Sequence, residues 1–117
     1  MFTVIYLYRV NKEHAQTFTD INEKASEIYL AKGALEDKTY HADDLNGKYG
    51  CAGLLDIVDV KENEVVYFGQ SVFRNKNHHD DVLNQVNDDP DINDLFDKMT
   101  RIIDLSKVVT ATFSTEY

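Results

Sequence analysis

Histidine and tyrosine are the side chains of this sequence best suited to proton transfer or to recognition of a small molecule. His41 ends a predicted strand, and an imidazole with an ordinary pKa of about 6.5 can act as a general base near neutral pH. Tyr6, Tyr8, Tyr40 and Tyr67 also lie on predicted strands, where their rings could line a pocket and their hydroxyls could bond a ligand. His41 is therefore our candidate catalytic base, and Tyr6, Tyr40 and Tyr67 are candidate ligand-binding residues. The alternative gives His41 a surface or packing role and places the tyrosines in the hydrophobic core.

A metal site is the other chemistry that the residue types suggest. His78, His79, Asp80 and Asp81 are consecutive, and imidazoles with carboxylates can hold zinc. Consecutive side chains on a helix, however, point about 100° apart, so these four do not converge on one ion. We expect a solvated helix start here and no metal site.

The segment from Asp43 to Gly53 is rich in glycine and aspartate, which is typical of a loop. It lacks the glycine spacing of a phosphate-binding loop and the spaced oxygen ligands of a calcium loop. Cys51 has no recognisable catalytic partner motif. We therefore expect no cofactor, although a long irregular loop can carry specificity.

Composition limits the partners and the compartment. The 117 residues include 21 acidic and 12 basic side chains, for a net charge of −9, so binding to nucleic acid is not expected. The apolar run from Phe2 to Tyr8 is too short to span a membrane and reads as a strand, so no membrane association is expected. One cysteine cannot form an internal disulfide, which fits a cytoplasmic protein.

The first half of the chain predicts a strand, a helix and a second strand. β-Branched and aromatic residues from Phe2 to Val10 favour a strand that is apolar on both faces. Asn11 is suited to cap a helix whose apolar residues recur at helical spacing until Gly33. The side chains of residues 34–41 alternate with a period of two, which predicts a strand with one solvent-exposed face.

The second half repeats this pattern after the loop. Residues 54–60 form a short strand or an irregular segment, and Glu64 to Phe73 predict a strand. A helix follows Arg74, with Asp80 and Asp81 expected in its first turn, where the helix dipole favours acids. Asp89-Pro90 marks the start of another helix, and residues 108–115 form a closing strand.

This order of elements predicts a single α+β domain over residues 1–117 with a ferredoxin-like, split βαβ arrangement and an antiparallel sheet. Helices cover one face of such a sheet. Val66, Phe68 and Val72 alternate with Val65, Tyr67 and Phe73, so the other face is apolar as well. We therefore expect a homodimer in which two sheets pack face to face, as in a dimeric α+β barrel.

The sequence resembles the small YbaA-like family of unknown function, which belongs among the dimeric α+β barrels. The resemblance covers most of the chain and is carried by the order of four segments: Lys32 to Leu35, Asp43 to Lys48, Glu64 to Phe68 and Asp88 to Pro90. Residues 101–111 depart from the family, which tends to have Phe-Asp-Gly-Lys-Arg and then a glycine-rich strand. The resemblance implies the barrel and the dimer, and it implies no particular reaction.

Two functions from different classes follow. The first is a homodimeric barrel that binds a small organic molecule, with or without cofactor-free oxygenase- or isomerase-like chemistry. The second is a non-enzymatic interaction or regulatory module whose barrel is filled by side chains. A cavity of a few hundred cubic ångströms would favour the first function, and a filled core the second.

Overall fold

The structure is a computed structural model that describes residues 1–116. It contains four strands and three α-helices. In chain order these are β1 (Phe2–Asn11), α1 (Ala15–Ala31), β2 (Glu36–His41), β3 (Glu64–Phe73), α2 (Lys76–Asn87), α3 (Pro90–Thr100) and β4 (Val109–Ser114). No helix among these residues has both the length and the apolar character needed to cross a membrane.

The four strands form one antiparallel sheet in the order β2-β3-β1-β4. Each βαβ half contributes one inner and one edge strand, so the predicted ferredoxin-like split βαβ fold is confirmed. The long inner strands pair over their whole length, from Phe2 opposite Phe73 to Asn11 opposite Glu64. This register determines which side chains share a face of the sheet.

One face of the sheet packs against the helices and is called here the helix face. Val4 and Phe73 lie on it and form a buried cluster with Val82 and Val86 of α2. Val10 and Tyr67 lie nearer its other end and pack on Phe18 of α1. The helix face therefore carries the two clusters of the hydrophobic core.

The opposite face has no helix over it and is called here the open face. Alternation along the paired strands places seven Ile, Leu, Val and Phe side chains on this face. These are Ile5, Leu7, Val66, Phe68, Val72, Val109 and Phe113, of which Val66 and Val72 are buried within the chain. Val109 and Phe113, both on the edge strand β4, are 50% and 57% exposed. Both faces of the sheet are thus apolar, as the sequence predicts.

The helix starts follow from capping side chains. Asn11 accepts a hydrogen bond from the backbone N–H of Glu13 and begins a short 3-10 turn that leads into α1. Asp89 caps α3 ahead of Pro90, as predicted. The predicted start of α2 is wrong, because Asn75 caps it and α2 begins at Lys76. Asp80 and Asp81 consequently lie in the second turn of α2.

The long connection between β2 and β3 is irregular apart from a 3-10 turn at Leu54–Asp56. Its chain crosses itself where Gly47 and Gly53 meet, and a Cβ at Gly47 would lie 2.1 Å from the carbonyl oxygen of Cys51. Arg9 holds the end of this connection by donating from Nη1 to the carbonyl of Asp59 at 2.9 Å. The glycines predicted to form a loop are therefore needed for close backbone contact.

Candidate functional site

A cavity of about 480 Å³ lies between the helix face of the sheet and helices α1 and α3, and we call it the inner cavity. Its sheet side includes Tyr6, Tyr8, Asp37, Gly69 and Ser71. Its helix side is mostly apolar and includes Ala25, Tyr29, Leu95, Phe96 and Met99. Phe96 is about half exposed, which places it at the solvent end of the cavity.

Small residues of β3 form part of the sheet wall of the inner cavity. Gly69 lies opposite Tyr6 on the helix face, and Ser71 lies opposite Val4. A Cβ at Gly69 would lie 3.3 Å from the ring of Tyr8. The Tyr6 and Tyr8 side chains therefore pack over Gly69, in the place that a larger side chain at this position would need.

Asp37 places a carboxylate in the wall of the inner cavity. Its β2 position pairs with Ser71, whose Oγ donates to Asp37 Oδ2 at 2.5 Å. Ser26 of α1 donates from Oγ to the Asp37 carbonyl oxygen at 2.6 Å, which fixes the strand against the helix. Desolvation by burial raises the pKa of Asp37, and the Ser71 and Ser26 hydroxyls oppose that rise.

Three tyrosines surround the same space. Desolvation by burial is the main cause that raises the pKa of Tyr6, Tyr8 and Tyr29. The negative charge of Asp37 contributes to each rise, and the pKa of Tyr29 reaches about 12. The rings of Tyr6 and Tyr8 stack with centroids 5.8 Å apart. These phenols stay protonated near neutral pH, so each hydroxyl can donate a hydrogen bond to a ligand.

A second cavity of about 550 Å³ opens between α1 and β2, and we call it the edge cavity. It shares Asn22, Asp37, Lys38 and Thr39 with the inner cavity, so the two adjoin along β2. Thr39 Oγ1 donates to Asn22 Oδ1 at 3.4 Å between them. The outer lining of the edge cavity includes Glu23, Glu27, His41 and Tyr67.

The structure divides the predicted site residues between these places. Tyr6 lies in the inner cavity, whereas His41 is exposed at the end of β2, with its ring edge-on to Tyr67 at 5.5 Å. Tyr67 is only 7% exposed and packs mainly in the core against Phe18. The ring of Tyr40 packs on Phe68, 6.0 Å away, on the open face. The four residues do not form one constellation.

Sequence reasoning did not single out Asp37, Tyr29 and Ser71, which line the inner cavity. A usable signal was present in β3, where Gly69, Gln70 and Ser71 interrupt an otherwise apolar strand. Small or polar residues at the centre of a buried strand indicate a void or a polar contact in the core. The residue that pairs with such a position on the neighbouring strand is then a candidate site residue, as Asp37 is opposite Ser71.

The histidines of α2 have local structural partners. His78 Nδ1 accepts a hydrogen bond from the Arg74 backbone N–H at 2.9 Å, and the His79 ring packs edge-on to Phe73. His79 Nδ1 lies 2.9 Å from Asp80 Oδ1. Across residues 1–116, no group of three or more His, Cys, Asp or Glu side chains is arranged to hold a metal ion. Cys51 is exposed in the long loop.

Fold and cavity together define an α+β protein with a four-stranded antiparallel sheet and an opening between sheet and helices. The chain belongs to the family described as "Protein of unknown function (DUF1428)", which matches residues 1–103. The expectation of a family of unknown function is confirmed. The YbaA-like resemblance and the dimeric barrel superfamily stay predictions.

Three solved structures share this fold at low sequence identity. Protein Atu4242 from Agrobacterium tumefaciens is 16% identical, with a TM-score of 0.56 over 97% of this chain and 92% of its own. At3g17210 from Arabidopsis thaliana is 8% identical, with a TM-score of 0.61 over 100% and 97%. An uncharacterized NIPSNAP domain protein from Burkholderia xenovorans is 11% identical, with a TM-score of 0.56 over 97% and 93%. No curated protein matches the chain. These likenesses concern the fold alone.

Proposed function

We propose that this protein binds a small organic molecule in the inner cavity. The observation that carries the proposal is the cavity itself, whose volume of about 480 Å³ lies within the usual range of ligand sites. Its lining is mostly apolar with a few convergent polar groups from Asp37, Ser71 and the tyrosines.

Proton-transfer chemistry, as in cofactor-free oxygenases or isomerases, needs a base within hydrogen-bond reach of the substrate. The exposed His41 suits a substrate that extends into the edge cavity. The Asp37 carboxylate suits a substrate held in the inner cavity, because Asp37 is part of the wall of that cavity. We therefore add Asp37 to His41 as a candidate base.

We further propose that the protein is a homodimer joined through the open face of the sheet. The support is the apolar character of that face, which no helix of this chain covers. Tyr67 belongs to the helix face, so any test of this interface has to alter residues such as Phe68 or Phe113 instead.

Ala25 provides the test of ligand binding, because it lies on α1 in the cavity wall and can be enlarged. We expect ligand-observed NMR with a library of small aromatic and aliphatic compounds to find molecules that bind the wild type. Ala25→Leu should weaken their binding about tenfold or more, since the larger side chain occupies the space that the ligand needs.

The matched control is Ala31→Leu, which makes the same change at an exposed position at the end of the same helix. This variant should bind the compounds as the wild type does. A wild type that binds none of them at millimolar concentration, or an Ala25→Leu variant with unchanged binding, would contradict a ligand site in the inner cavity.

A further inference from the structure

We propose that the ligand of the inner cavity is an organic cation, a protonated amine whose ammonium pairs with the Asp37 carboxylate while its apolar body lies against α3. This inference rests on the proposed function, because it names the chemical class of the ligand for the same cavity. The argument uses the unpaired carboxylate, the aromatic rings around it and the charges on the rim.

The Asp37 carboxylate is incompletely satisfied by the protein. A carboxylate can accept about four hydrogen bonds, and Ser71 supplies one side-chain donor. Within residues 1–116, no lysine, arginine or histidine nitrogen lies within 4.0 Å of it. Carboxylates that lose water on folding are normally paired, so a cationic ligand would supply the missing partner.

The tyrosine rings near Asp37 also favour a cation. Tyr6 and Tyr8 stack at 5.8 Å on the sheet side of the cavity, and Tyr29 faces them from α1. Cations are attracted to the faces of aromatic rings within about 6 Å of the centroid, most strongly where water is excluded. Rings beside a carboxylate are a common way to recognise an ammonium group.

The charges around the two cavities select against anions. Among the described lining residues, Lys38 alone carries a fixed positive charge. Its ammonium lies 3.5 Å from the carboxylate of Glu36, a residue whose side chain belongs to the open face. Glu23 and Glu27 stand on the rim of the edge cavity, and the whole chain has a net charge of −9. This field attracts cations and repels phosphates and carboxylates.

The rest of the inner cavity suits an apolar body. Leu95, Met99 and Ile103 line it from α3 and the residues just beyond. A volume of about 480 Å³ accommodates a phenylalkyl chain with room for an ammonium group. The ligand class is therefore an amine on an aromatic or aliphatic body, and not a small ion or a polar metabolite.

Three probes with the same skeleton separate charge from shape: 4-phenylbutylamine, 4-phenylbutan-1-ol and 4-phenylbutyrate. We expect isothermal titration calorimetry at pH 7 to show the amine binding about tenfold or more tightly than the alcohol, with the carboxylate weakest. Asp37→Asn should remove the preference for the amine while the alcohol still binds, which shows that the cavity remains folded. Glu36→Gln, which neutralises the neighbouring carboxylate on the open face, should leave all three affinities unchanged.

The possible results distinguish this inference from the proposed function. If the amine and the alcohol bind equally, or if Asp37→Asn keeps the preference for the amine, the cation proposal is overturned while ligand binding in the cavity stands. If none of the three probes binds the wild type at millimolar concentration and the compound library also gives no ligand, both proposals fall.

Discussion

The carboxylate of Asp37 loses water when the chain folds, and in the absence of a ligand it gains no opposite charge in return. Burial therefore raises its pKa in the folded state above the unfolded value of about 3.9. The groups that face it are Ser71 from β3, Ser26 and Tyr29 from α1, and Tyr6 and Tyr8 from β1. None of these supplies a positive charge.

The sign of the resulting pH dependence follows from proton linkage. Between the unfolded and the folded pKa, the folded chain binds more protons than the unfolded chain, so Asp37 lowers the free energy of unfolding as the pH rises. Below about pH 4 it is neutral in both states and has no such effect. We expect Asp37→Asn to be more stable than the wild type at pH 7, by a margin that shrinks towards pH 4.

Urea denaturation of both proteins from pH 4 to 7 measures this margin directly. Glu36→Gln is the control and should follow the wild type across the range, because its side chain is exposed. An Asp37→Asn variant that is less stable than the wild type at pH 7 would show that the Ser71 contact outweighs the loss of water.

Asp37 shows why the site was only partly predictable. Alternation along β2 correctly groups Asp37 with Thr39 and His41, as all three lie on the helix face. The alternation within β2 cannot predict that Gly69 and Ser71 of β3 lie beside these residues. Their pairing depends on the register between two strands that are distant in sequence. Tyr6 was recognised from residue type, whereas the role of Asp37 requires the pairing.

At the scale of elements, α3 is positioned by the turn that starts it. The Asp89 side chain accepts a hydrogen bond from the Asp91 backbone N–H at 2.9 Å. Asp89→Ala should lower the free energy of unfolding by about 1 kcal/mol, because this N–H loses its partner at the helix start. Ligand affinity should also fall, since α3 carries Leu95 and Met99 of the cavity wall.

The control for this cap is Asp88→Ala, one residue earlier, where an exposed side chain makes no capping bond in the described structure. It removes the same charge from the same turn and should change the stability by a few tenths of a kcal/mol at most. Urea midpoints at constant m-value compare the two variants. Equal losses would mean that charge, and not the cap, determines the stability of this turn.

The elements themselves were more predictable than their positions. β3 begins and ends at Glu64 and Phe73 as predicted, because β-branched and aromatic residues run between clear turn residues. The start of α2 was placed too late, since two aspartates resemble a first turn and the Asn75 cap was overlooked. The long loop was recognised from its glycines, but their crossing at Gly47 and Gly53 depends on backbone contacts that no local pattern contains.

For the whole molecule, the open face stands out because the isolated chain leaves apolar side chains exposed on it. Tyr40 on β2 is 46% exposed, and Val109 and Phe113 on β4 are at least half exposed, at opposite edges of the same face. An apolar area that extends across a four-stranded sheet is larger than single chains usually leave in water.

Phe113→Asp tests this interface, because the exposed ring contributes little to the fold of one chain and would be buried when two open faces meet. A carboxylate buried without a partner opposes association strongly, so we expect the wild type to sediment as a dimer and the variant as a monomer. Thr112→Asp adds the same charge one residue earlier, on the other face of β4, and should remain dimeric. A monomeric wild type, or a Phe113→Asp variant that stays dimeric, would remove the open face as the interface and leave its apolar surface for a different partner.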